Sequence, residues 1–302
     1  MASTMANITV IIMARNNKKS SILGVVVAIL IVVVVVLVIA LAIGIYKNKT
    51  TEDTKASDEA LVDNTVNDAT TAETQTLMHA SEYQVLPDEK GIPVAQIDVD
   101  VESLKNINAD VCGWIYIPDT GVNCPVVCNS DNPDYYLTND IDKINGTFIQ
   151  NFNSSNFTDR MTVVYGKNQN GKSQFEGILK YRDKAFFDNH KYAYVLSDNR
   201  ILTYKVFAAR KAYAEHLMLG YDWSVDQIFI DYLTYILKSS DGFELDDVET
   251  AIDIDPSANI DSSIDISVDD RVLTLSERIP GEDNYRYLVQ GVLINESIKE
   301  AP

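Results

Sequence analysis

The spread of apolar residues divides the chain into three parts. Residues 22–45 carry no charge and run almost unbroken through Val, Ile, Leu and Ala. A run of that length can cross a hydrocarbon core of roughly 30 Å as one helix. From about Lys47 to Leu86 the chain is rich in Thr, Ala, Asp, Glu and Asn and has no sustained apolar period. Such a segment cannot bury enough surface to offset its chain entropy. From about Ala95 onward, short apolar runs alternate with turn residues, the pattern of a mostly β domain.

This pattern predicts a cytoplasmic tail over 1–21, a transmembrane signal anchor over 22–46, a flexible acidic stalk over 47–94 and an extracytoplasmic domain over 95–302. Arg15, Lys18 and Lys19 precede the apolar run, and Lys47 and Lys49 follow it, so the positive-inside bias is small. The bulk of the chain lies beyond the run and sets the orientation. The alternative is a cleaved signal peptide with Ala40-Leu41-Ala42 at the cleavage site, but the run exceeds a typical signal-peptide core. The stalk, about 45 residues of coil, would reach roughly 35–40 Å.

Within the domain, residues 99–108 have a weak helical period. Cys112–Ile117 and Cys124–Cys128 read as a hairpin around Pro118-Asp119-Thr120-Gly121. Further strands are predicted at Gly146–Ile149, Met161–Tyr165, Lys191–Leu196 and Ile201–Ala208, with a turn at Asp198-Asn199-Arg200. Short helical turns are predicted at Gln174–Leu179 and Arg182–Phe187. The clearest helix begins at Ser224, where Ser224 and Gln227 have capping-box spacing. Its apolar face is Val225, Ile228, Phe229, Tyr232, Leu233 and Ile236. The acidic stretch Glu244–Asp270 is expected to be a surface loop. Val272–Arg278 and Arg286–Leu293 form two more strands joined through Pro280-Gly281.

Charge narrows the possible partners. The 302 residues carry a net charge of −19, which argues against nucleic-acid binding through a basic surface. The three cysteines, Cys112, Cys124 and Cys128, are an odd count, so at least one thiol is free outside the cytoplasm. A hairpin symmetric about Thr120 would set Cys112 opposite Cys128, close enough to consider a disulfide. The other reading is three small buried hydrophobes.

Four stretches, in order, resemble the class B sortases. They are Gly113-Trp-Ile-Tyr-Ile-Pro118 with Cys124-Pro-Val-Val127, then Asn132-Pro-Asp-Tyr-Tyr-Leu137. Thr162-Val-Val-Tyr-Gly-Lys-Asn168 follows with Phe175-Glu-Gly-Ile-Leu179, and last comes the hairpin Val272–Arg278 and Arg286–Leu293. The resemblance covers roughly Val99 to Ile294. It implies a closed eight-stranded β-barrel with flanking helices, on a single-pass protein of a Gram-positive cell envelope.

The resemblance also implies a chemistry this chain lacks. Sortases use a thiolate nucleophile, a histidine acid and an arginine that stabilises the oxyanion. The arginine position is Arg286. The histidine position holds Lys167 and the cysteine position holds Arg278. Arginine has no nucleophilic form, and an ordinary lysine has a pKa near 10.4, too high to alternate between acid and base at neutral pH. His190 and His216 lie outside the motifs. The expectation is a sortase-like pseudoenzyme with no cofactor and no metal. Its three cations would form a cleft for a sorting-signal or cell-wall stem peptide, or another carboxylate. Internal pairing with Glu277, Glu282 or Asp283 is the bland alternative. A catalytic alternative is a Ser276–Lys167 nucleophile–base pair, since Ser276 shares a strand face with Arg278. A third reading is a structural accessory subunit of a surface-protein or pilus assembly.

Overall fold

The structure, a computed structural model, describes residues 82–169, 171–214, 217–238 and 256–299. The proposed cytoplasmic tail, the apolar run 22–46 and most of the stalk lie outside the described residues. Among the described residues, no helix is long and apolar enough to cross a membrane.

The elements in chain order are β1 (Val85–Pro87), β2 (Pro93–Ala95), α1 (Val101–Lys105), β3 (Val111–Ile117), β4 (Val122–Cys128) and α2 (Tyr135–Thr138). Then come β5 (Thr147–Ile149), β6 (Met161–Tyr165), β7 (Asn168–Gln169), β8 (Lys172–Ser173), a 3-10 helix (Glu176–Arg182), α3 (Lys184–Asn189), β9 (Tyr192–Ser197) and β10 (Arg200–Tyr213). The last are α4 (Leu217–Gly220), α5 (Asp226–Lys238), β11 (Asn259–Ile260), β12 (Val272–Arg278) and β13 (Tyr285–Ile298). The main sheet runs β10-β13-β12-β6-β5-β4-β3-β9, and β9 pairs back onto β10. Eight strands therefore close into a barrel, which removes exposed sheet edges. Two neighbouring pairs, β12–β6 and β4–β5, are parallel.

Strand alternation sorts the side chains into an interior and two covered outer faces. Ile115, Val126, Val164, Leu275 and Val289 fill the interior. Trp114, Tyr116 and Phe148 face outward and meet Tyr83, Val94, Ile97 and Leu104 from the N-terminal segment. Met161, Val163, Leu288 and Val292 face outward on another side, beneath α5. There Phe229, Tyr232, Leu233 and Ile236 are buried, each contributing roughly 1.5–3 kcal/mol through burial. A polar seam crosses this interface. Arg210, 2% exposed, donates to the Tyr232 hydroxyl, and the Gln290 amide donates to Tyr232 and to Thr274.

Several expectations are corrected. Residues 82–94 do not continue the stalk, because β1 pairs with β2 and Tyr83 and Val94 pack against the barrel. The capping box before α5 does not form. The Ser224 hydroxyl donates to Asp222 and the Gln227 amide to Asp231, and the helix begins at Asp226 with Val225 exposed. The stretch 256–270 is more than a surface loop, since β11 pairs with β10 and Asn259 is buried, donating to the Tyr181 carbonyl; residues 244–255 lie outside the described residues. The hairpin symmetry shifts as well. Ile117 pairs with Val122 and Gly113 with Val126, and a register shift between Val111 and Gly113 leaves Cys112 in a bulge. All three cysteines are free.

Candidate functional site

Four neighbouring strands build one cavity of about 320 Å³ on the outer face of the barrel wall. Residues two apart share a strand face, and each strand contributes in that way. Phe148 and Gln150 come from β5 and the residue after it, Tyr165 and Lys167 from β6 and beyond, and Ser276 and Arg278 from β12. Arg286 comes from β13, while Tyr136 and Leu137 of α2 form a side wall. Lys167, Ser276, Arg278 and Arg286, distant in sequence, are thus brought together.

Sheet pairing fixes these positions. Ser276 is level with Tyr165 in the parallel β12–β6 ladder, and its carbonyl accepts from Gly166 N–H at 2.9 Å. Arg278 stands directly opposite Arg286 in the antiparallel β12–β13 ladder. Arg278 is exposed and Arg286 half-buried. Burial, and then the neighbouring Arg278 charge, lower the Arg286 pKa from its ordinary value. The Arg286 guanidinium donates to the carbonyls of Asp283 and Tyr285. Lys167 is 9% exposed, and its ammonium donates to the Tyr136 carbonyl at 2.9 Å. Lys167 and Ser276 share the cavity without a hydrogen bond between them among the described residues.

The acidic neighbours face elsewhere. Glu277 points to the other face of β12, where Ser173 Oγ donates to its carboxylate at 2.5 Å. Burial raises its pKa above the ordinary value. Glycine at 166 leaves room for it, since a Cβ there would lie 2.0 Å from Glu277 Oε2. Glu282 is held by Lys211. Among the described residues, no carboxylate lies within 4.0 Å of the charged nitrogens of Lys167, Arg278 or Arg286.

Other candidate groups lie away from the cavity. His190 is stacked on Phe186 and contacts Asp119 Oδ2 at 3.1 Å, while His216 lies outside the described residues. None of the cysteines lines the cavity. Burial pushes the Cys124 thiol up to about 12 and also raises Cys112 and Cys128, so all three are held as thiols. Among the described residues, no group of three or more His, Cys, Asp or Glu is placed to hold a metal ion. Sequence reasoning missed Gln150, Phe148 and Tyr165 as lining residues. Their only signal was strand alternation, which becomes informative once the neighbouring strands are known.

No family model matches the chain. Individual proteins do. It is 27% identical to sortase B of Listeria monocytogenes over 204 residues, covering 65% of this chain and 75% of that protein. The identity to sortase B of Staphylococcus aureus is also 27% over 204 residues, with the same coverage. The solved structure of Clostridium perfringens sortase B is 26% identical, with a TM-score of 0.50, covering 65% of this chain and all 100% of that one. The closed barrel, the order of its motifs and these relatives together make the chain similar in fold and sequence to the B-type sortases.

Proposed function

We propose that this chain is a class B sortase-family pseudoenzyme without transpeptidase activity. Its cationic cleft binds a carboxylate-bearing peptide at the cell wall, and the run 22–46 anchors it in the membrane with the barrel outside. The observation that carries the reading is the grouping of Lys167, Arg278 and Arg286 around one cavity while Glu277 and Glu282 are engaged by Ser173 and Lys211. Guanidinium pairs recognise planar carboxylates through bidentate hydrogen bonds.

Three features support the loss of chemistry. Arginine stands where the resemblance calls for a thiolate, and it cannot act as a nucleophile. Lysine stands at the histidine position, with its ammonium donating a hydrogen bond to the Tyr136 carbonyl. The three thiols lie outside the cavity with raised pKa values.

The test is an assay of the full-length protein with sorting-signal peptides, beside an Arg278→Cys, Lys167→His double variant. The native protein is expected to leave the peptides intact and the double variant to cleave them. Cleavage by the native protein that Ser276→Ala abolishes would overturn the reading in favour of a Ser276–Lys167 enzyme. Carboxylate peptides are expected to bind the native protein at low salt and more weakly at moderate salt, as exposed charge pairs are screened.

A further inference from the structure

Glu277 lies behind the wall of the cavity. Its neighbours on β12, Ser276 and Arg278, both line the cavity, while its own side chain is turned to the opposite face and is 5% exposed. Gly166 forms the wall between the two. It lines the cavity, and a Cβ built on it would lie 2.0 Å from Glu277 Oε2. One glycine backbone therefore separates the carboxylate from the space a bound anion fills. The Ser173 hydroxyl on β8, a neutral donor, bonds to the carboxylate at 2.5 Å. Among the described residues, no charged nitrogen of Lys, Arg or His lies within 4.0 Å of it. The charged and titratable groups around Glu277 come from three elements. They are Arg278 on its own strand, Arg286 and the cross-strand partner Tyr287 on β13, and Glu176 with Arg182 on the 3-10 helix, Arg182 lying over the Tyr287 ring.

We propose that Glu277 is a proton switch for the anion site, its ionised carboxylate opposing a ligand across the Gly166 wall and its protonation releasing that opposition. The inference rests on the carboxylate-binding reading above. With Glu277 neutral, the charges of Lys167, Arg278 and Arg286 act undiminished; with Glu277 ionised, one of the three is offset. Burial favours the neutral acid most, the Ser173 bond and the Arg278 charge favour the carboxylate, and the balance lies above the ordinary glutamate value. The folded protein thus takes up this proton as pH falls from neutral, and ligand binding tightens in step. By reciprocity, an anion entering the cavity draws a proton onto Glu277. A charge within roughly 4–6 Å shifts a carboxyl pKa by about 1–3 units, and one unit corresponds to about tenfold in affinity. The site holds its ligand in acidic surroundings and releases it as pH rises.

The test is calorimetric titration of the full-length protein with acetyl-Glu amide at low salt, from about pH 8 to about pH 5.5, where the ligand carboxylate stays largely ionised. Affinity is expected to rise up to about tenfold toward the acid end. Titration in two buffers of different ionisation enthalpy is expected to show proton uptake on binding. Glu277→Gln, a neutral isostere, is expected to bind at neutral pH as tightly as the native protein does at acid pH, with the pH slope and the proton uptake gone. Binding by the native protein with neither slope nor uptake would overturn the switch and leave the carboxylate reading standing. Slope or uptake that persists in Glu277→Gln would belong to another group and overturn it too. Absence of binding at every pH would overturn both readings. If Glu277→Gln fails to fold, Ser173→Ala decides: loss of the donor to the carboxylate should move the slope to higher pH, and an unmoved slope would overturn the switch.

Discussion

Arg278 and Arg286 face each other as a direct cross-strand pair between β12 and β13. Like charges placed directly opposite on one sheet face repel. Burial of Arg286 and the charge of Arg278 act in the same direction on the Arg286 pKa. A pair held together at that cost is a poor structural feature.

Arg278→Gln is therefore expected to stabilise the unliganded protein by roughly 0.2–1 kcal/mol, the worth of a cross-strand charge pair. The gain should shrink as salt rises. Urea denaturation at low and moderate salt measures both effects. A lower midpoint in the variant at both salts would show that Arg278 is held by a favourable contact instead.

Glu277 makes the stability depend on pH. Its folded-state pKa is raised by burial, so the folded state binds the proton more tightly than the unfolded chain does. The stability it supplies is fully present below the unfolded value and is lost as pH rises through the folded value. Glu277→Gln should match the native protein near pH 4, about the ordinary glutamate pKa, and exceed it at neutral pH. Thermal melts across that range test this. A difference that shrinks toward neutral pH would contradict it.

Gly166 allows β6 and β12 to approach at the cavity floor. Its backbone N–H donates to the Ser276 carbonyl, and an added Cβ would meet Glu277 Oε2 at 2.0 Å and Phe175 Cβ at 2.9 Å. Gly166→Ala should cost roughly 1–3 kcal/mol, as other overpacked sites do. Glu277→Ala in the same chain should restore part of that loss, because the Phe175 contact remains. No recovery in denaturation measurements would place the clash elsewhere.

The cysteines should titrate as three free thiols in unreduced, denatured protein, consistent with their state in the structure. In the folded protein they should react slowly, because burial raises all three pKa values. A count of one thiol would show that two had paired.

Much of the barrel was legible in the sequence because half-buried strands carry a period of two. Met161–Tyr165 and Val272–Arg278 appear with the same limits in the structure. Errors arose where a local signal met a stronger tertiary partner. Ser224 and Gln227 have capping-box spacing, yet Asp222 and Asp231 take their side chains. Hairpin symmetry about Thr120 failed because the turn pairs Ile117 with Val122, one residue off that symmetry, and the bulge at Cys112 then shifts the register once more. Val85–Ala95 looked like coil because three-residue strands are too short to show a period.

The sequence by itself determined the identities that bear on chemistry: lysine and arginine stand at the two positions where the resemblance calls for histidine and cysteine. Covalent identity is local, so no folding is needed to read it. The tertiary structure decided which groups share the cavity and which charges are left without a carboxylate. The parallel β12–β6 ladder, ending at Ser276 and Tyr165, carries Lys167 and Arg278 to one cavity, and Glu277, one residue from Arg278, turns to the opposite face and bonds to Ser173. Gln150 joins them only because β5 lies next to β6. Strand order and register bring distant residues together and send adjacent ones apart, and neither can be read from spacing along the chain.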